Sequence, residues 1–259
     1  MKSPIKWVGG KGSEIKMFEK YIPEFETYVE PFLGGGALYW QINPEKAILN
    51  DINSHLVNFY KTIITNTEKI NSILSNFVNN EEFYYNIRDV LNNKKFRDNI
   101  EQAAIFYYLN KTGHRGQWRE NSKGCYNIPF GHYKNDNFNH IDCMYGNQLK
   151  RANIYNTDFK YILDLVKEDN NAFLFLDPPY LECDTLYTAD QKFEDIYKYI
   201  VYYMHFAKCK VMLVVKNTKY IEKLFKNNIV HRYKKNYKNN VKSTIENEHL
   251  VVTNYKLGN

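Results

Sequence analysis

The chain is most constrained by one arrangement that occurs near its start. The apolar run TYVEPF is followed by a glycine-rich turn, by GGGALYWQI opening a helix with Pro44 after it, and by a second apolar run, KAILND. Strand, turn, helix, strand is a βαβ unit, and two parallel strands can only be joined by such a crossover. The same alternation returns later. ANIYNTDF reads as a strand followed by the helix KYILDLVKE, then the strand AFLFLD, a helix near residues 193–207 and the strand KVMLVV. The segment HRYKKNYKNNVKSTIENEHLVVTNY reads as two strands with a long polar connection. A first helix through EIKMFEKYI is expected to be capped by Ser13 and closed before Pro23.

Between these two blocks the pattern changes. Residues 53–110 carry several helical segments, among them HLVNFYKTII, EKINSILSNFV and AAIFYYLNK, and no convincing strand. HRGQWRENSKGCYNIPFGHY is rich in glycine and polar turns and reads as a loop or hairpin. The expectation is an α/β sheet interrupted by a mostly helical insertion, with divisions at 1–53, 54–140 and 141–259. There is no internal repeat, and the Asn-rich patches NNEEF and KNNVK are short loops.

A length of 259 residues suits one catalytic-size domain with an insertion or two small domains, and 44 % hydrophobic content can form a core. The net charge of +6 permits nucleic acid without demanding it. Basic residues are concentrated in two places. Residues 229–242 carry Arg232, Lys234, Lys235, Lys238 and Lys242 with no acid. Residues 111–134 carry Lys111, Arg115, Arg119, Lys123 and Lys134 against Glu120 alone. Each run is either a solvated face or a phosphate-binding surface. Cys125, Cys143, Cys183 and Cys209 form no C-x-x-C pair and have no histidine at metal-ligand spacing, so free thiols in a reducing compartment and no metal are expected. No signal peptide and no long apolar span stand in the sequence, which implies a soluble intracellular protein that is not in a membrane.

Open parallel sheets bind ligands beyond the carboxyl ends of their strands, and three strand ends here carry chemistry. Gly34, Gly35 and Gly36 allow positive φ or close approach of backbone to a ligand, and equally make a tight turn. Their spacing is not G-x-G-x-x-G, and WVGGKGS is not a phosphate loop, because Gly12 follows Lys11. Asp51 ends the next strand and suits either two ribose hydroxyls or a helix N-cap. In LDPPY, Asp177 offers only acceptors, Pro178 and Pro179 have no N–H, and Tyr180 adds a flat face. An acceptor carboxylate, a free carbonyl and a ring suit an exocyclic amino group on a planar base.

In order along the chain, IKWVGGKGSEI, EPFLGGGAL, NDIN, NTDF, LDPPY and EHLVVTNY resemble the motifs of the Dam-type, α-class DNA adenine-N6 methyltransferases. YLNKTGHRGQWRENSKGCYNIPFGHYK resembles the target-recognition segment of that family. The resemblance runs from Ile5 to Tyr255 and implies a Rossmann-like class I methyltransferase sheet using S-adenosylmethionine. It implies cofactor contacts at Trp7, Lys11, Phe32, Gly34, Gly35, Gly36, Asp51, Asp158, Phe159 and Asp177. It implies a catalytic loop at Asp177, Pro178, Pro179 and Tyr180. DNA contacts are implied at His114, Arg115, Arg119, Asn121, Lys123 and Lys134, with Lys234, Lys235 and Lys238 holding phosphates.

Arg119 lines up with the arginine that reads guanine in relatives acting on GATC. His114 and Arg115 stand where relatives often carry an aromatic residue and asparagine. The expected reaction is methylation of N6 of a flipped adenine in double-stranded DNA, at GATC or a related site. An inactive DNA-binding subunit, a cytosine-N4 enzyme and an enzyme acting on RNA are the alternatives. A restriction endonuclease is a possible counterpart, and the expected location is the cytoplasm or nucleoid, or wherever a virus encoding the chain acts on DNA.

Overall fold

The computed structural model describes residues 1–135, 138–179, 193–236 and 246–256. Seven strands form one sheet: β1 (Thr27–Glu30), β2 (Ala47–Asn50), β3 (Ala152–Tyr155), β4 (Ala172–Leu176), β5 (Lys210–Lys216), β6 (Ile229–Asn236) and β7 (Glu246–Thr253). Their order is β3-β2-β1-β4-β5-β7-β6. The first five pair in parallel, while β7 lies antiparallel between β5 and β6. This is the α/β sheet expected of a Rossmann-like methyltransferase. The chain runs outward from β1 to β2 in one direction and from β4 to β5 in the other. A crevice therefore opens at the carboxyl ends of β1 and β4, where the order reverses.

Side chains of a strand alternate between the faces of its sheet, and β4 is buried along its whole length. Phe173 and Phe175 enter one core with Tyr28, Met212, Val214 and Val251. Leu174 and Leu176 enter the other with Val29, Val211, Leu213 and Val252. The second core is covered by α7 (Phe159–Val166) and α8 (Phe193–Phe206), which supply Ile162, Leu163, Ile200 and Tyr203. The first continues past α2 (Ala37–Ile42) into the inserted helices, α3 (Ser54–Leu74), α4 (Glu81–Asn92) and α5 (Asn99–Thr112). Each large apolar side chain fully buried there contributes about 1.5–3 kcal/mol.

Local chemistry fixes the inserted helices. Asn53, Asn80 and Asp98 cap α3, α4 and α5 by accepting bonds from backbone N–H groups of the first turn. All eight residues from Ala103 to Asn110 are buried, so α5 runs through the middle of the helical layer and not along its surface. The segments HLVNFYKTII and EKINSILSNFV, expected as separate helices, belong to one helix over most of their length; α3 is kinked at Asn66, where φ is −125° and ψ 21°. Two short helices were not anticipated, α6 (Cys143–Leu149) and α9 (Lys219–Leu224).

Ser13 does not cap the first helix. α1 (Ile15–Phe18) starts after Glu14 with no side-chain cap, because the Glu14 carboxylate is engaged elsewhere. The helix tightens into a 3-10 turn at Glu19–Tyr21 and stops at Ile22, which is extended. A residue before proline is disfavoured in the helical region, and Pro23 follows.

α6 meets α3 at Gly146, where an added Cβ would lie 2.3 Å from the Ile63 carbonyl oxygen. Helix propensity alone makes Gly146→Ala stabilising by about 1 kcal/mol. The close approach of backbone predicts a net loss of ~1–3 kcal/mol instead. Urea unfolding decides between the two; a raised midpoint would show that the helices part without cost.

Candidate active site

The glycine turn after β1 is held from three sides. Gly34 and Gly36 have φ of 46° and 61°, a region that costs other residues roughly 1–2 kcal/mol. Tyr60 Oη donates to the Gly34 carbonyl at 3.0 Å and Trp40 Nε1 to that of Gly35 at 3.1 Å. Trp7 packs over the turn: a Cβ on Gly34 would lie 2.6 Å from its indole Cδ1, and one on Gly35 3.1 Å from its Cβ.

Asp51 joins this turn to the end of β2. Its Oδ2 accepts from Gly34 N at 2.8 Å and its Oδ1 from Asn53 N at 2.9 Å. The N-cap of α3 is Asn53, which leaves Asp51 as a carboxylate placed at the strand end. The side chain is buried, and burial pushes its pKa up to about 6 against the opposing backbone bonds from Asn53 and Gly34. Next to it, Asn50 latches neighbouring strand ends. Its amide donates to the carbonyls of Pro31 and Thr157, at 3.0 and 3.1 Å, and its oxygen accepts from Thr157 N at 2.9 Å.

A cleft of about 350 Å³, part of it open to solvent, lies along these strand ends, walled by Phe32, Asp51, Ile52, Thr157, Phe159 and Pro179. The rings of Phe32 and Phe159 are 5.0 Å apart. The cleft brings Phe32, Asp51 and Phe159 together, while Trp7 and the glycines are not among the residues that line it. Asp158 caps α7 by accepting from Lys160 N at 2.9 Å.

Asp177 follows β4 at the neighbouring strand end. Its Oδ1 is paired with Nζ of Lys11, a buried lysine that also donates to the Gly9 carbonyl at 3.3 Å. Lys11, one of the residues expected at the cofactor, lies against Asp177 of the LDPPY segment. Burial raises the Asp177 pKa above the ordinary carboxylate range, with the Lys11 charge and bond opposing and Glu14 adding to the rise. Pro178 is buried, and the Pro179 carbonyl accepts from Tyr197 Oη at 3.3 Å. Tyr180 lies outside the described residues.

Two further acids complete the setting. Glu30, at the end of β1, is buried and accepts from Tyr28 Oη at 2.8 Å on the same face of the strand. Burial drives its pKa well up, and Asp177 and Asp51 add to this while the Tyr28 bond opposes it. Glu14 lies behind Lys11. Glu30 was legible as a strand-ending acid like the other two; nothing local to KGSEI marks Glu14 as buried.

The expected hairpin is present, with antiparallel bridges at Gly113–Phe130 and Glu120–Tyr126. It is rooted by Asn110, which accepts from Lys6 N at 2.9 Å and donates to the carbonyls of Lys6 and Gly116, at 2.7 and 3.3 Å. His114 and Arg115 stand exposed on the turn after α5. Arg115 has a φ of 56°, and its N–H bonds Tyr133 Oη at 2.8 Å. Arg119 Nε donates to Asn127 Oδ1 at 2.8 Å, while Glu120 takes the indole N–H of Trp118. The Asn121 side chain accepts from Lys123 N and Cys125 N and so shapes the hairpin tip. Lys123 and Lys134 are exposed.

Lys6, not anticipated from sequence, lies over the Tyr133 ring at 3.7 Å and donates to the Lys111 carbonyl at 3.0 Å. Burial and the nearby Lys6 charge lower the Lys111 pKa to about 8. The C-terminal basic run divides. Arg232 pairs with Glu222 and Glu248, at 2.7 and 3.3 Å, and Lys235 turns inward to Glu14. Lys234 is exposed, and Lys238 lies outside the described residues. Among the described residues no group of three His, Cys, Asp or Glu is placed to hold a metal, and no helix is long and apolar enough to cross a membrane.

Because Trp7 occupies the space of a Gly34 side chain, Gly34→Ala is expected to lower the melting temperature and change the indole fluorescence. Trp7→Ala removes the obstruction, so the double variant should lose less stability than the sum of the two singles. Additive losses would show that the turn is constrained by φ alone.

The sequence model of the D12 class N6 adenine-specific DNA methyltransferases matches residues 7–241. A type II methyltransferase, M.CviBI, of Paramecium bursaria Chlorella virus NC1A is 35 % identical over 98 % of this chain and 100 % of its own. M1.LlaDCHI, a type II methyltransferase of Lactococcus lactis subsp. cremoris, is 29 % identical over 96 % of this chain and 94 % of its own. The DNA adenine methylase of Escherichia coli K12 is 32 % identical over 68 % of this chain and 64 % of its own. With the strand order, the acid-bearing strand ends and the glycine turn, these likenesses lead to one conclusion: the chain belongs to the D12 class N6 adenine-specific DNA methyltransferase family.

Proposed function

We propose that this chain transfers the methyl group of S-adenosylmethionine to N6 of an adenine flipped out of duplex DNA, at GATC or a site containing its GA step. The observation that carries this reading is the juxtaposition at one sheet crevice of an aromatic-walled cleft bearing Asp51 and the Asp177-Pro178-Pro179 loop. The residues fit the cofactor. Phe32, Phe159 and Ile52 give the cleft apolar walls for a flat heterocycle, and Asp51 is a buried acceptor for ribose hydroxyls. When bound, S-adenosylmethionine supplies an electrophilic methyl group.

The chain's own part is acceptance, alignment and exclusion of water. Asp177 and the Pro178 carbonyl would accept hydrogen bonds from the two N–H groups of the amino group, freeing its lone pair for the methyl. The proton that N6 loses on methylation would leave through the Asp177 bond as the demethylated thioether is released. The prolines stiffen the loop and put no competing N–H beside the amino group. Tyr180 provides the stacking face. A target inside a duplex has to leave the stack to reach this crevice. His114 and Arg115 stand at the gap it leaves, with Arg115 bonding the orphaned thymine or a phosphate. The hairpin lysines, Lys6, Lys111 and Lys234 hold phosphates, while Lys235 serves Glu14.

Asp177→Ala is expected to slow tritium-methyl transfer to duplex DNA by roughly 30- to 1,000-fold, the loss of ~2–4 kcal/mol in the transition state, with cofactor binding retained. Turnover at the wild-type level would overturn the assignment. Asp51→Ala should instead weaken S-adenosylmethionine in calorimetry. The Asp51 carboxylate accepts from hydroxyls best when ionised, so wild-type affinity should be full above about pH 6 and fall below it. An affinity that Asp51→Ala leaves unchanged would refute that role.

Arg119 has its Nε fixed by Asn127, which orients the guanidinium fork. Read as the guanine reader, it contributes ~1–3 kcal/mol against a wrong base. Sequencing of methylated bases should show guanine before the target adenine, and Arg119→Ala should lose discrimination there. Equal weakening on every sequence would make Arg119 a phosphate contact.

A further inference from the structure

Behind Lys11 and Asp177, four side chains from three distant parts of the chain close on one another. Glu14 precedes α1, Tyr233 and Lys235 come from β6, and His249 comes from β7. Tyr233 Oη donates to Glu14 Oε2 at 2.8 Å, His249 Nδ1 lies 2.7 Å from the same oxygen, and Lys235 Nζ pairs with Oε1. Glu14 is 3 % exposed and His249 is fully buried. Glu14 N also donates to the Lys11 carbonyl at 2.7 Å, so both side chains leave one tight turn. Lys11 thus stands bonded to Asp177 and within electrostatic reach of Glu14.

Stability alone is a poor reason for this cluster. An ion pair taken out of water is often matched or bettered by apolar side chains of the same volume. What apolar residues cannot supply is a fixed charge beside Lys11. The two cations, Lys11 and Lys235, are balanced by the two carboxylates, and both Lys235 and Glu14 act electrostatically on Asp177.

We propose that Glu14, clasped by Tyr233, Lys235 and His249, is a positioning residue that sets the place of Lys11 and, through it, of the Asp177 carboxylate. The C-terminal hairpin is then part of the active site, although none of its described residues lines the cleft. This rests on the reading of Asp177 as the acceptor of the amino group.

The charges around each group give the cluster a signature. Burial pushes the Glu14 carboxyl up, but the His249 bond, the Lys11 charge and the Lys235 pair outweigh it and hold the pKa at about 2. Glu14 is therefore charged at every pH at which the enzyme would work. Asp177 faces Lys11 and Lys235, which favour its ionisation, and Glu14, which opposes it. On the β1 side it faces Glu30 and Tyr28. Removing the Glu14 charge lets Asp177 ionise more readily.

The test uses the full-length chain in single-turnover tritium-methyl transfer to plasmid DNA, as a function of pH. Melting temperature and S-adenosylmethionine affinity by calorimetry are measured alongside. Glu14→Gln is expected to lower the maximal rate by roughly 10- to 100-fold, the order that misplacement of a reacting group costs. Its acid limb should move to lower pH, and cofactor affinity should stay near the wild-type value. Tyr233→Phe keeps the charge and loses one fixing bond, so it should lose rate by a smaller factor with the limb in place. A Glu14→Gln enzyme with the parental rate and limb would overturn the proposal. So would a rate loss without displacement of the limb, which marks Glu14 as structural only. Should Glu14→Gln fail to fold, a folded Tyr233→Phe with the wild-type rate overturns it. A wild-type chain that methylates no adenine would instead bring down the reading of Asp177, and this inference with it.

Discussion

The pair of Lys11 and Asp177 joins positions 166 residues apart and closes the site from both sides. Neither side chain is stable in its position without the other: an unpaired buried charge costs several kcal/mol, and removing one partner imposes that cost on the survivor. Asp177 cannot withdraw, because it is the next residue after a strand buried on both faces. Lys11 is held by the loop that also carries Trp7 over the glycine turn. The N-terminal strap and the end of β4, separated in sequence by the inserted helices, are therefore tied together at the one point where chemistry is proposed.

Around that pair the strand ends gather acids. Glu30, Asp51 and Asp177 end neighbouring strands, and burial raises the pKa of each. Carboxylates crowded in a poorly solvated crevice repel one another, and donors relieve the repulsion. Backbone N–H groups serve Asp51, Tyr28 serves Glu30 and Lys11 serves Asp177. Donor groups on a ligand would take their place in the same balance, which is why such a crevice favours hydroxyls and amino groups over phosphates.

The insertion is not a separate body set on the sheet. Its helices share one buried core with the Tyr28 face, and the hairpin is rooted on the N-terminal strap through Asn110 and Lys6. The same strap continues to Trp7 and Lys11. A surface proposed to meet DNA and a carboxylate proposed to meet the base thus hang from a single six-residue stretch. That gives the distance between them little freedom.

Much of this was legible in the sequence. Alternating apolar runs and helix-patterned segments determined the parallel sheet, because only βαβ crossovers connect parallel strands. Glycine and acid at the strand ends marked the turn and the acceptors that meet at the crevice, because side-chain and backbone chemistry there is local: Gly34 needs positive φ, and Asp51 and Asp177 offer acceptors. The ordered motifs carried the family. Tertiary structure alone decided the partners of the charges. Whether Lys235 meets phosphate or Glu14 depends on which face of β6 is covered, and a one-residue change of register would reverse it. Lys11 meets Asp177, and Glu14 meets His249, across more than 160 residues of chain, where no spacing rule reaches. Local pattern fixes which groups are available; only packing in three dimensions fixes which of them are buried together, and burial is what makes a charge matter.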